Sequence, residues 1–440
     1  MSELQQFISS RIPEGWSSKP LWSLFRRRKL TGYPDEELLS VYRDYGVIPK
    51  SSRDDNHNKE SDDLSCYQLV TKGALVTNKM KAWQGSIAIS RYRGIVSPAY
   101  FVYEPLSDEN DQFLHYLLRS KPYIELYGRI SKGVRVNQWD LEHESLRTVP
   151  IVLPNRETQK AIADFLDRET ARIHELIEKK EQLINIMEDK EQAELARLVT
   201  CGLEAERPKK KSIYPWAPDF PADWTETPFG LLMRRTKTKV GECSADYTLL
   251  SLGKQGIVER DIESGKGKFP SNFDTYQVVT PGQIVLCLFD MDETPRTVGL
   301  SSMFGMVTGA YDVMSVGDHV SAAYIYLYLL YLDHGKRLKP FYTGLRKVVR
   351  MPIFRTVRMP LPPQSEQEAI VAEYKELKRR RVEIDAKTRE SVNRLREFRA
   401  ALITAAVTGQ IDVAAWSAGE RTDRVLEQIE EKRPFREVRV

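Results

Sequence analysis

The 440-residue chain is 41% hydrophobic and 29% charged, with 66 Lys and Arg against 62 Asp and Glu and a formal charge of +4. That balance suits a folded protein of two to three domains, and no window comes close to eighteen unbroken apolar residues, which argues against a membrane span. The opening MSELQQFISSRIPEGW lacks the basic region and apolar run of a secretion signal, and Cys66, Cys201, Cys243 and Cys287 stand far apart, so a cytoplasmic chain with reduced thiols is expected rather than a disulfide or zinc scaffold.

Residues 1–11 form a polar lead. From 12 to 150 the helical period is mostly lost, and short β-branched and aromatic runs such as YQLVTKGALVTN are bounded by Gly, Pro and Ser. One amphipathic helix is expected around 111–118, and the polar stretch 50–63 reads as a mobile loop. The segment is expected to be a mixed α/β domain. A long helix follows over 154–202, with Asn155 as N-cap and Gly202 as its stop. Its apolar residues Ile162, Leu166, Ile173, Ile177, Ile184, Met187, Leu195 and Leu198 make one narrow stripe. About 45 residues at ~1.5 Å each give a rod of roughly 68 Å, which requires a partner helix.

Residues 204–219 read as a linker from their Pro and Lys content. A second α/β domain is expected over 220–358 and a second long helix over 362–409, its start marked by a capping box from Ser365 to Glu368. The second stripe is Ile370, Tyr374, Leu377, Ile384, Val392, Leu395, Phe398 and Leu402; residues 410–440 read as a charged tail with a short surface helix near 425–431.

The halves repeat. A constant shift of 208 positions carries Leu153-Pro154 onto Leu361-Pro362, Gln159 onto Gln367, Ile162 onto Ile370, and Pro13 and Trp16 onto Pro221 and Trp224. The chain must leave domain one along the first helix and return along the second, so the helices are expected to pair as an antiparallel coiled coil with pseudo-twofold symmetry.

Catalytic signatures are missing. Gly265-Lys266-Gly267-Lys268 lacks the upstream glycine of a phosphate-binding loop, no GxGxxG follows a strand, and the six histidines are scattered without HExxH. Acid pairs such as Asp290 and Asp292 are common in loops and weak as metal ligands. No catalytic, cofactor-binding or metal-binding residue is assigned, and a non-catalytic chain is expected.

Basic residues interleaved with aromatic and amide side chains remain. Asn78, Lys79, Lys81, Trp83, Gln84, Arg91, Tyr92 and Arg93 crowd into sixteen residues without an acid, and Lys132 and Arg135 follow with Asn137. The second domain offers Lys254, Arg260, Lys266 and Lys268, then Tyr342, Arg346, Lys347 and Arg350. Lys and Arg neutralise phosphates, while Arg, Asn and Gln make bidentate contacts with base edges, so these residues are candidate contacts with double-stranded DNA. The competing reading is a coiled-coil adaptor whose paired domains grip proteins.

The chain resembles the specificity subunit of type I restriction–modification enzymes over nearly its full length. The resemblance rests on IPEGW (12–16), NKMKAWQG (78–85), GIVSPAY (94–100), PLPPQSEQEAIV (360–371) and ALITAAVTGQIDV (401–413). It implies two target recognition domains, each reading one half of a bipartite, asymmetric DNA site. It also implies helices that dock two adenine-methylating subunits and the ATP-dependent restriction subunits. S-adenosylmethionine, ATP and Mg would then belong to those partners. NKMKAWQG has no literal copy in the second domain, where CLFDMDETPRTVG aligns with it.

Overall fold

The computed structural model describes residues 12–43, 45–53, 60–135, 138–204, 206–215, 217–260 and 272–431. The chain divides into two compact units, one of Met1–Glu181 with Thr388–Val440 and the other of Gln182–Lys387.

The first unit is built on a four-stranded antiparallel sheet in the order Phe25–Arg27, Tyr100–Pro105, Leu75–Asn78, Ile87–Ile89. The second repeats that order with Met233–Thr236, Asp312–Val316, Ile284–Leu286 and Val298–Leu300. Registers correspond: Leu75 pairs with Tyr103 and Ile89, and Ile284 with Met314 and Leu300. In each unit the strand after the opening turn pairs with the strand before the long helix, Ser17 opposite Leu153 and Thr225 opposite Leu361. The 208-residue repeat is therefore structural as well as sequential.

The expected helix at Asp111–Leu118 forms, with the Asn110 side chain accepting from the Phe113 N–H at 2.8 Å. The second unit has Ala322–His334 in its place. That helix is apolar on all sides because it is buried on all sides, in the second unit's core. No helix among the described residues is long and apolar enough to cross a membrane.

The long helices span Arg156–Cys201 and Gln364–Val407. In the first unit, Ile162, Leu166, Ile173 and Ile177 share one core with Val392, Leu395, Phe398 and Leu402. In the second, Leu195, Leu198 and Val199 share a core with Ile370, Val371 and Tyr374. There Glu191 pairs with Arg381 and accepts from the Tyr374 hydroxyl at 2.7 Å, while Gly202 lies against Glu366. One number rises as the other falls, so the segments run antiparallel. Most of the expected stripe is buried; Ile184, Met187 and Leu377 are half-buried, and Ile384, at 40%, is exposed.

Two helix ends repeat as well. Gly409 and Gly202 both adopt positive φ (+68° and +75°), and a Cβ at either would press on an indole, Trp16 in the first unit and Trp224 in the second. The IPEGW turn in the first half and its counterpart FPADW (220–224) in the second thus each pack on the end of a long helix.

Three expectations change. Asn155 caps the first helix, accepting from Thr158 N–H at 2.8 Å, but Pro363 holds the equivalent place in the second, and Ser365 is already helical. The 204–219 linker is partly built into the second unit: Lys209–Lys210 pairs with Phe220–Pro221, and Arg207 pairs with Glu366. The tail is folded over Val413–Ala418 and Arg421–Glu430, because Trp416, Val425, Leu426 and Ile429 give it an apolar face that the first unit's core takes in. In the 50–63 loop, residues 54–59 lie outside the described residues.

Gln159 and Gln367 are both buried, and both do the same work. Each donates to the carbonyl five residues back (Pro154 at 3.0 Å, Pro362 at 2.9 Å) and accepts the N–H of the domain helix's N-cap residue (Asn110 and Ser321, each at 2.9 Å). Gln159→Leu or Gln367→Leu leaves a buried N–H and a carbonyl unpaired, so each should cost about 1–3 kcal/mol, read as a lowered unfolding midpoint in denaturant.

Candidate nucleic-acid interface

The sheet's central strand leads in each unit into a loop, and a hairpin folds back onto that loop. In the first unit Asn78 N–H donates to Ser86 C=O (2.9 Å), closing the loop, and Leu141 N–H donates to Lys79 C=O (3.0 Å), docking the hairpin. In the second, Cys287 N–H donates to Thr297 C=O (2.8 Å) and Val349 N–H to Leu288 C=O (2.9 Å). NKMKAWQG and the acidic CLFDMDETPRT thus occupy equivalent places, the second loop two residues longer.

The braces between loop and hairpin differ. In the first unit Trp83 lies against Trp139 of the hairpin, ring centroids 4.8 Å apart, and the Trp83 indole N–H is already given to Met80 C=O at 3.0 Å. In the second, Arg346 makes a two-pronged pair with Asp290 and sits 5.0 Å over the Phe289 ring, while Lys347 reaches Asp292 and Glu293, both at 3.0 Å. The backbone adds Asp290 N–H to Arg346 C=O at 2.7 Å. Arg346 holds the Asp290 carboxyl, and Lys347 that of Asp292, below the ordinary carboxylate range. The ionic brace is therefore in place above that range and lost as pH falls through these lowered values. Tyr342, half-buried beside this cluster, has its phenol pushed up to about 12 by burial and by Asp292.

The expected patch of Asn78 to Arg93 divides. Lys79, Lys81, Trp83 and Gln84 sit in the loop at one end of strand Ile87–Ile89, and Arg91, Tyr92 and Arg93 lie in the turn at its other end, about 10 Å away by strand rise. Arg91 bonds Gln112 and approaches Asp167 (3.9 Å), and Arg93 pairs with Glu36 at 2.7 Å. Within the loop, Asn78 accepts from Met80 N–H, and the Lys79 ammonium donates to Pro98 C=O at 3.1 Å over the Phe101 ring. Lys81 is exposed and, among the described residues, has no charged or hydrogen-bonding partner for its ammonium; Gln84 keeps its amide unpaired as well.

Lys132 is exposed at the hairpin base beside Glu142 (3.2 Å). Asn137 and the side chain of Arg135 lie outside the described residues, as do Lys266 and Lys268. Lys254 is exposed in the turn between strands Leu250–Gly253 and Gly256–Glu259, and Arg260 follows them, both on a separate hairpin. Arg350 is exposed at the start of the short helix Met351–Thr356.

Sequence reasoning missed Trp139 and the bracing acids. Asp290 and Asp292 answer cations of the hairpin, and among the described residues no group of three or more His, Cys, Asp or Glu is placed to hold a metal. The chemistry on offer is cationic and amide contact from the first unit's loop, with Lys254 and Arg350 exposed in the second unit. Asp290→Asn should speed hydrogen exchange at the Thr343 and Val348 amides by up to about fivefold, the support one exposed ion pair gives, and raised salt should do the same. The aromatic brace of the first unit should not respond to salt.

Residues 13–185 match the family described as the type I restriction modification DNA specificity domain. A solved chain reported under complex assembly and conformational transition of the type I R-M system shares the fold at TM-score 0.66 and 16% identity, over 91% of this chain and 99% of that one. The HsdS subunit from Thermoanaerobacter tengcongensis, also 16% identical, covers 91% of this chain and 98% of its own at TM-score 0.48. No curated protein matches in sequence. The match over residues 13–185 agrees with the resemblance carried by the sequence motifs, and the chain shares its fold with the solved type I R-M chain.

Proposed function

We propose that each unit reads one half of a bipartite, asymmetric DNA site, and that the long helices dock two methyltransferase subunits and the restriction subunits that complete the complex. One observation supports this above the others. Both units present a loop and a hairpin at the same place on the same sheet, yet the side chains there differ. A shared frame with divergent tips suits two readers of two sequences, because phosphate contacts position a protein while tip residues select bases. The chain itself contributes recognition. Adenine methylation, with S-adenosylmethionine, and ATP- and Mg-dependent restriction fall to the partner subunits.

Mapping adenine methylation across a genome with and without this chain tests the reading. The expected result is a split motif that appears only with the chain, and exchanging residues 12–147 for those of a relative should change one half alone. Methylation without sequence preference, or a change in both halves, would overturn it.

Lys81 is the first unit's best-placed phosphate contact. In the assembled complex, Lys81→Ala should weaken DNA binding similarly on all sequences and lower the slope of log K against log salt by about 0.9, measured by titration across a salt series. An adaptor that gripped proteins would show neither effect.

A further inference from the structure

The hairpin tip of the second unit carries a residue that the basic patch does not explain. Thr343 and Val348 exchange both backbone hydrogen bonds (2.9 and 3.0 Å), and Lys347 N–H closes the turn onto Gly344 C=O at 3.1 Å. Gly344 (φ +69°) and Lys347 (φ +45°) supply the left-handed backbone the turn needs. Arg346 and Lys347 are tied to Asp290, Asp292 and Glu293, so the tip is held to the loop beside it. Just before them, Leu345 stands out from the surface at 101% exposure.

A scattered exposed leucine needs no explanation, but this one is the apex of a braced turn and has no surface of its own to fold onto. Arg346 and Lys347, which follow it directly, are held by the loop carboxylates, while Arg350, close in sequence, is exposed; the apex belongs to the loop–hairpin pair to which the DNA-reading function is assigned. The side chain at the apex of a narrow turn can enter the DNA major groove, where the thymine C5 methyl is the one apolar group on a base edge.

We propose that Leu345 is a specificity-determining residue of the second unit, its side chain packing on the C5 methyl of a thymine in the major groove of that unit's half-site. Resting on the DNA-reading function above, the proposal assigns one base contact to one atom group. In the sequence repeat, Asn137 aligns with Leu345.

The test uses the chain assembled with its methyltransferase partner and duplexes carrying the mapped motif. Each thymine of the second half-site is replaced in turn by deoxyuridine, which removes only the methyl. One replacement should weaken binding by about three- to fivefold, the weight of one buried methyl. Leu345→Ala should weaken binding to the thymine duplex by about tenfold and abolish the deoxyuridine effect, leaving readout of the other half-site unchanged.

Three results would overturn the proposal. Every deoxyuridine duplex could bind like its parent. The deoxyuridine effect could persist in Leu345→Ala. Or Leu345 could unstack a base step, seen as 2-aminopurine fluorescence that depends on Leu345 without any methyl effect, which would make it a wedge. A complex with no sequence preference on any duplex would instead defeat the DNA-reading function itself, so the two failures are separable.

Discussion

The narrow apolar stripe on each long helix is the constraint that the fold answers. A single helix of 46 or 44 residues cannot cover its own stripe. Each unit therefore pairs the beginning of one helix with the end of the other. The unit at the start of the sequence includes Val392 to Val407, and Gly409 receives Pro13 and Trp16. The opening turn and the closing helix end are one packing unit, although nearly the whole chain separates them in sequence.

On that frame the repeats keep their backbone and change their tips. The same docking hydrogen bond holds a hairpin beside a loop in both units, but one brace is a pair of indoles and the other a cluster of Arg, Lys and carboxylates. Aromatic contact is indifferent to ionic strength, and exposed ion pairs are not. Arg346 and Lys347, which look like free phosphate ligands in the sequence, already have partners. The more accessible cations are Lys81, Lys254 and Arg350.

Much of the architecture was legible before the structure. The 208-residue shift located the repeat, the stripe period located the helices, and Asn155 announced its own cap. The pairing of Gln159 with Gln367 pointed to a position whose role the structure supplies, a buried amide bridging two helix starts. What stayed hidden depends on side chains meeting across sequence. Ser365 has the spacing of a cap, but Pro363 already starts the helix. Arg91 and Arg93 look continuous with Lys81, yet a strand lies between, and nothing local announces Glu36 or Asp167 as their partners. The tail looks charged because its four apolar anchors are spread over fourteen residues.

The unequal make-up of the two units bears on how the chain acquires its shape. The second unit is one continuous stretch, Gln182–Lys387, while the first needs residues from both sides of it. During synthesis the ribosome releases the first α/β domain early, but its core lacks the second helix's end until the last few dozen residues emerge. The second unit, though made later, has its whole chain available sooner. The order of synthesis and the order of completion are thus reversed, and a chain halted before Val392 would carry one closed unit and one with its apolar stripe still bare.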